Sequence, residues 1–189
     1  MSGFQAVLDT CVLVPIVKAD LLLTLAMRQA FHPLWSEAIL QELERTLVEV
    51  RPEMTQERAF GRIGDMNSAF EDALVTGWEP LESCIVGLAD PDDRHVDAAA
   101  VRGNASAIVT DNIGDFPPEA LESWGLHAVT SDDFLLDTLD LNASRVIGCL
   151  IEMAARRKNP PAGVGDVLVA LERAGAVGFT DAVRSLLAS

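Results

Sequence analysis

Apolar positions along this chain change period several times, and each change marks an element. Phe4 to Leu8 is a short apolar run closed by Asp9, which predicts a buried strand with a carboxylate at its carboxyl end. Val14, Val17, Leu21 and Leu25 then recur at helical spacing as far as Arg28, with Pro15 suited to the first turn. Ser36 is a good N-cap for a second helix. Glu37 lies at the positive end of its dipole, and Ile39, Leu40, Leu43, Leu47 and Val50 form one apolar stripe before Arg51-Pro52 stops it. Thr55 to Phe70 predicts another helix despite Gly61 and Gly64, and the two suit a helical hairpin.

From Val75 to Val86 the apolar residues are scattered among turn formers, which predicts one or two short strands around Trp78 and Ile85. Asp90-Pro91-Asp92-Asp93 caps a helix running to Arg102, with Val96, Ala99 and Ala100 on its buried side and Gly103-Asn104 at its end. Ala107 to Thr110 reads as a buried strand, followed by a carboxylate-rich loop, a short helix from Pro118 to Trp124, and a last strand near Ala128-Val129. This alternation predicts an α/β fold, a parallel β-sheet flanked by helices in an α/β/α arrangement with right-handed crossovers. Beyond Ser131 the strand signals cease. Helical patterns cover Phe134 to Leu139, Ala143 to Arg157, Val164 to Ala174 and Thr180 to Leu187. The expected organisation is a main domain over residues 1–130 and an all-helical C-terminal extension, 131–189, too short for a secure core of its own and so packed on the main domain.

Composition narrows this picture. The 189 residues are 49% hydrophobic, enough for one sizeable core. The apolar run from Val12 to Met27 is interrupted by Pro15, Lys18 and Asp20, and the N-terminus has no signal-peptide pattern, so no membrane association and a cytoplasmic location are expected. Cys11, Cys84 and Cys149 are far apart and in apolar surroundings, and are expected to be buried thiols rather than disulfide or zinc partners. Fourteen basic against 29 acidic side chains leave a net charge of −15, which repels nucleic acid on average. A divalent cation in a carboxylate pocket inverts that field locally.

In a parallel sheet, reactive groups gather beyond the carboxyl ends of the strands, where Asp9 and the Asp111 to Asp115 loop fall. Asp92 and Asp93 start the intervening helix. Carboxylates brought together repel one another unless a cation holds them, so such convergence marks a hard-metal site. His32, His95 and His127 have no ligand spacing; His95 is adjacent to the acids and within reach of a substrate.

These residues carry a resemblance. Val7-Leu8-Asp9-Thr10-Cys11-Val12-Leu13, Glu42 within Ile39-Leu40-Gln41-Glu42-Leu43, Asp90-Pro91-Asp92-Asp93 with Ala98-Ala99-Ala100, and Ile108-Val109-Thr110-Asp111-Asn112-Ile113-Gly114-Asp115-Phe116 resemble, in order and spacing, the acidic motifs of the PIN-domain family. The resemblance implies a metal-dependent endoribonuclease with Asp9, Glu42, Asp93 and Asp115 at an Mg²⁺ or Mn²⁺ ion. It implies that Thr10 and Thr110 hydrogen-bond those carboxylates, with Asp111 and Asn112 as water or substrate contacts. The helical C-terminal segment is similar to that of one branch of the VapC toxins, which implies an RNA substrate and a cognate antitoxin that wraps residues 36 to 70 and pushes a basic side chain into the acidic pocket. A homodimer is left open.

Periodicity alone does not choose between Glu42 and Glu44, which flank opposite sides of the apolar stripe, and capping is a sufficient role for one of Asp92 and Asp93. The run Arg156-Arg157-Lys158 reads as a solvated helix end and is also the densest basic patch for RNA. An EF-hand over Asp90 to Val101 is excluded because His95 and Val101 occupy its glycine and glutamate places. The competing expectation is a PIN-like binding or assembly module with weak or no catalysis.

Overall fold

The computed structural model describes residues 4–158 and 161–188. Five strands form one sheet: β1 (Gln5–Leu8), β2 (His32–Ser36), β3 (Leu74–Val75), β4 (Ala107–Val109) and β5 (His127–Val129). The helices are α1 (Thr10–Leu13), α2 (Ile16–Met27), α3 (Glu37–Val50), α4 (Gln56–Ala69), α5 (Arg94–Arg102), α6 (Pro118–Leu121), α7 (Ser131–Leu141), α8 (Ala143–Arg156), α9 (Val164–Arg173) and α10 (Val177–Leu187). The chain divides into two compact units, one made of the residues up to Val14 with His32–Val129, the other of Pro15–Phe31 with the residues from Thr130 onward. Helix α2, early in the sequence, thus belongs with the late helices.

In the first unit every strand pair is parallel and the order is β3-β2-β1-β4-β5. Chain order reverses at β1, where Ala6 pairs with Pro33 on one side and Ala107 on the other. Ala6, Val7 and Leu8 and the three residues of β4 have no exposed surface, as expected of central strands covered on both faces. Strand β2 is not among the elements the hydrophobic pattern predicts. Pro33 and the polar ends His32 and Ser36 carry little strand propensity, and burial of Pro33, Leu34, Trp35 and Ser36 overrides it.

The strands expected around Trp78 and Ile85 are likewise replaced. Strand β3 lies earlier, and Glu79–Cys84 is a 3-10 turn with Pro80 near its start. Trp78 and Ile85 flank that turn and pack against Ala98 and Ala99 of α5. Pro15, expected inside a helix, is instead the N-cap of α2. Helix α5 ends at Gly103, but the left-handed residue is Asn104 at φ 51°. Gly103 is required for space: a Cβ there would lie 2.8 Å from Leu34 Cδ1 and 3.0 Å from Val75 Cγ2.

The second unit packs α2 with α7 to α10. Asp132, in the first turn of α7, accepts from the backbone N–H groups of Gly178 and Phe179 at 2.8 Å each, satisfying two donors at the start of α10. Phe31 and Phe134 meet edge to face at 4.9 Å. Arg156 is paired with Asp20 at 2.9 Å, so the basic run at the end of α8 is partly neutralised. Among the described residues, no helix is long and apolar enough to cross a membrane. Of the three thiols only Cys149 is buried; Cys84 is exposed on its 3-10 turn, and Cys11 is half-buried beside polar partners described below.

Candidate functional site

Asp9 follows β1 and Thr110 follows β4, so the pairing of Leu8 with Val109 delivers both to the carboxyl edge of the sheet, side by side. This is the reversal point of strand order, where a crevice opens beyond a doubly wound sheet. The Asp9 carboxylate is 5% exposed and well held. Its Oδ1 accepts from Thr10 N–H at 2.6 Å, and its Oδ2 accepts from the Thr110 hydroxyl at 2.7 Å and the Cys11 thiol at 3.0 Å. The Asp111 N–H donates to Cys11 Sγ and the Asn112 N–H to Thr110 Oγ1. Burial raises the Asp9 pKa and Glu42 adds to it, against the lowering effect of these donors. Burial and the Asp9 charge push the Cys11 thiol up to about 12, so it remains a donor rather than a nucleophile.

Glu42 reaches the same edge from α3. Ser36 ends β2 and accepts from Ile39 N–H at 3.2 Å, so strand and helix share one cap that sets the rotation of α3. Glu42 Oε2 accepts from the Thr10 hydroxyl at 2.9 Å and faces His95 Nε2 at 3.6 Å. The other imidazole nitrogen, Nδ1, lies 2.8 Å from the Asp92 carbonyl. A carbonyl only accepts, so Nδ1 carries the proton. The facing imidazole lowers the Glu42 pKa, burial working against it and the Thr10 hydroxyl with it. Burial on its own would lower the His95 pKa, but Glu42 and the Asp92 carbonyl outweigh it and the net direction is up.

Asp93 stands at the start of α5, half-buried, after a turn in which Asp90 accepts from Asp92 N–H at 2.9 Å. Its pKa rises to about 6, through burial and then the charges of Asp9, Asp115 and Asp90. That cause places four carboxylates in one field, which the neighbouring His95 offsets only in part. Asp115 closes a 3-10 turn after β4, and its carbonyl accepts from Ala89 N–H at 3.3 Å, which ties that turn to the segment leading into Asp90. Beside these acids lies a cavity of about 540 Å³ bordered by Gln41, Glu42, Arg45, Trp78, Asp93 and His95.

The eight residues singled out in the sequence are distributed unevenly. Asp9, Thr10, Glu42 and Thr110 form one hydrogen-bonded network. Asp93 is linked through charge to both Asp9 and Asp115. Asp111 and Asn112 are exposed, and their backbone N–H groups tie into the network. Between Glu42 and Glu44, it is Glu42 that joins it.

Two neighbours were not among the eight. His95 faces Glu42, a relation prefigured only by its closeness to Asp93 in sequence. Asp97 lies one helical turn after Asp93 with no exposed surface and neither carboxylate oxygen hydrogen-bonded. Its signal was available as an acid inside the apolar run Val96 to Ala100.

Among the described residues, no three histidine, cysteine, aspartate or glutamate side chains are arranged to hold a metal ion as they stand. The donor chemistry nevertheless suits one kind of ion. All the donors are carboxylate oxygens, they repel one another, and the buried Asp97 oxygens lack any partner, which together fit a hard divalent cation.

Comparison with known proteins bears on this arrangement. A family model described as PIN domain matches residues 5–114, more than half of the chain. A second, described as VapC50 C-terminal domain, matches residues 131–185. A protein of Mycobacterium tuberculosis (strain ATCC 25618 / H37Rv) named "Putative ribonuclease VapC50" is 45% identical over 69 residues, which are 36% of this chain and 41% of that protein. No solved structure gave a significant match.

Proposed function

The chain belongs to the PIN-domain family, and we propose that it is a metal-dependent endoribonuclease, the toxin half of a VapBC-like toxin and antitoxin pair. The observation that carries this reading is the shared field of Asp9, Glu42, Asp93 and Asp115 at the point where strand order reverses. In this reading those four side chains hold Mg²⁺ or Mn²⁺. When bound, the cation supplies an acidified water and neutralises charge on the scissile phosphate.

The protein's own groups do the rest. Thr110 and the Thr10 N–H fix both Asp9 oxygens, and the Thr10 hydroxyl fixes Glu42, so two carboxylates are oriented before substrate arrives. His95 Nε2 stands 3.6 Å from Glu42, where in its protonated form it would offset a phosphate beside the acids. Residues 1–130 would carry the nuclease and 131–189 a helical extension, with helix α2 joining the second unit. An RNA-cleaving toxin of this kind works in the cytoplasm.

The antitoxin partner is proposed from the resemblance to VapC toxins and from the surface of the α3 and α4 hairpin. Phe60 is 69% exposed there, with Val48 and Val50 also uncovered. Such apolar surface suits a partner that covers it, and the acidic cavity beside Glu42 suits a basic side chain from that partner.

The test is incubation of a mixed RNA pool with purified protein and Mg²⁺ or Mn²⁺, with EDTA and Asp9→Asn controls. Cleavage lost in both controls supports the nuclease. No cleavage with either metal favours the PIN-like binding module. Co-expression with the product of the adjacent gene, followed by co-purification and loss of cleavage, tests the antitoxin.

A further inference from the structure

Asp97 has no place in the acid set implied by the family likeness, and its situation is unusual for a structural residue. Val96, Asp97, Ala98, Ala99 and Ala100 all have no exposed surface, so the carboxyl group sits in the most enclosed part of α5. Neither of its oxygens has a hydrogen-bond partner. Leaving an ionised carboxylate in that state is strongly unfavourable unless another charge meets it.

Asp93 immediately precedes α5 with helical backbone angles, so Asp93 and Asp97 stand in an i, i+4 relation on one face. Burial, and then the charge of Asp93, raise the Asp97 pKa to about 7. Its electrostatic partner is therefore an acid of the candidate site, and that partner makes its burial worse rather than better. His95 offsets part of the charge at Asp93 but is not among the groups acting on Asp97, and a hard divalent ion at Asp93 would supply positive charge to both.

We propose that Asp97 is a fifth carboxylate of the cation site, a positioning residue whose buried charge is balanced by the ion that Asp93 helps to hold. The inference rests on the metal-dependent reading above and extends the site one helical turn along α5. An ion at Asp93 would stabilise ionised Asp97, and ionised Asp97 would in turn tighten the hold on the ion, because like charges one helical turn apart are tolerated better with a cation near them.

The experiment is Mn²⁺ binding by titration calorimetry to the full-length wild type and to Asp97→Asn, Asp97→Leu and Asp9→Asn, with melting temperatures in EDTA and in saturating Mn²⁺. The asparagine keeps shape and polarity while removing the charge. The leucine removes polarity as well, so that one of the two keeps the helix packed. Both Asp97 variants are expected to bind Mn²⁺ roughly 10- to 100-fold more weakly than wild type, and to gain less melting temperature from the ion. Unchanged affinity in the Asp97 variants beside a weakened Asp9→Asn would overturn the role of Asp97 alone, leaving it a protonated core residue. Absence of Mn²⁺ binding by the wild type would overturn both this proposal and the metal-dependent reading beneath it.

Discussion

The hydroxyl of Thr110 donates to the buried carboxylate of Asp9 over 2.7 Å, joining the ends of two adjacent parallel strands. An ionised carboxylate only accepts, so the hydroxyl proton is committed to Asp9 while the same Thr110 oxygen accepts from Asn112 N–H. Thr110→Val keeps the shape and removes this donor, and is expected to weaken Mn²⁺ binding and RNA cleavage by about 10- to 100-fold. Thr110→Ser should recover most of both. Calorimetry and a gel-based cleavage assay on the pair of variants check it, and a valine variant equal to wild type would show that Asp9 needs no such fixing.

Asp9→Asn removes the charge whose burial raises the pKa of that group and which repels Asp93 and Glu42. Cleavage is expected to vanish while the melting temperature in EDTA stays equal or rises, because the repulsion is relieved. A variant that cleaves at the wild-type rate would remove Asp9 from the chemistry.

Stability in EDTA should carry a pH dependence from Asp97. An acid with a folded pKa above its unfolded value binds a proton first in the folded state, so its favourable contribution is full at low pH and is lost as pH rises to the folded value. For Asp97 the window runs from 3.8 to about 7. The melting temperature of wild type should therefore fall relative to Asp97→Asn across that window, and the gap should stop growing above it. Thermal melts of both proteins at half-unit pH steps measure the difference, and a gap independent of pH would mean that Asp97 keeps its ordinary titration.

Gly103 is a site of crowding rather than of backbone strain. Its φ is −81°, yet a Cβ would press on Leu34, Val75 and the Ala99 carbonyl, the last at 3.1 Å. Gly103→Ala is expected to destabilise the protein by about 1–3 kcal/mol. Chemical denaturation reads this as a lower midpoint with little change in slope.

In the second unit, both oxygens of Asp132 are spent on the N–H groups of Gly178 and Phe179. Asp132→Ala leaves those donors without their acceptors and should cost about 1–2 kcal/mol. Asp132→Asn, which keeps one acceptor, should fall between the alanine variant and wild type in the same denaturation series.

Legibility of this fold followed the local physics. Ser36 announced its helix because a cap needs only one side chain and the N–H three residues on. Strand β1 with Asp9 behind it was visible because a short buried run ended in an acid. Strand β2 was not, since Pro33 and Ser36 fit a strand only when neighbours bury them. Periodicity left Glu42 and Glu44 equivalent, and the distinction came from Thr10, which is 32 residues away in sequence from Glu42. Asp97 was passed over because the helix pattern made its face apolar and no local rule asks where a buried acid finds its counter-charge. Cys84 was misread as buried because apolar neighbours in sequence do not enclose a residue on a 3-10 turn.

The chain leaves the first unit at Val14 and returns at His32, so helix α2 is made by the ribosome long before α8 and α9, the helices that pack against it. Synthesis proceeds from the N-terminus, and during it the segment Ile16–Met27 must wait as a loop of leucine-rich chain while the strands on either side of it pair. A gene cut after residue 130 would make that wait permanent. The product would retain every acid of the candidate site and still carry an uncovered helix in its first thirty residues, which makes poor solubility, rather than loss of chemistry, the foreseeable defect of such a fragment.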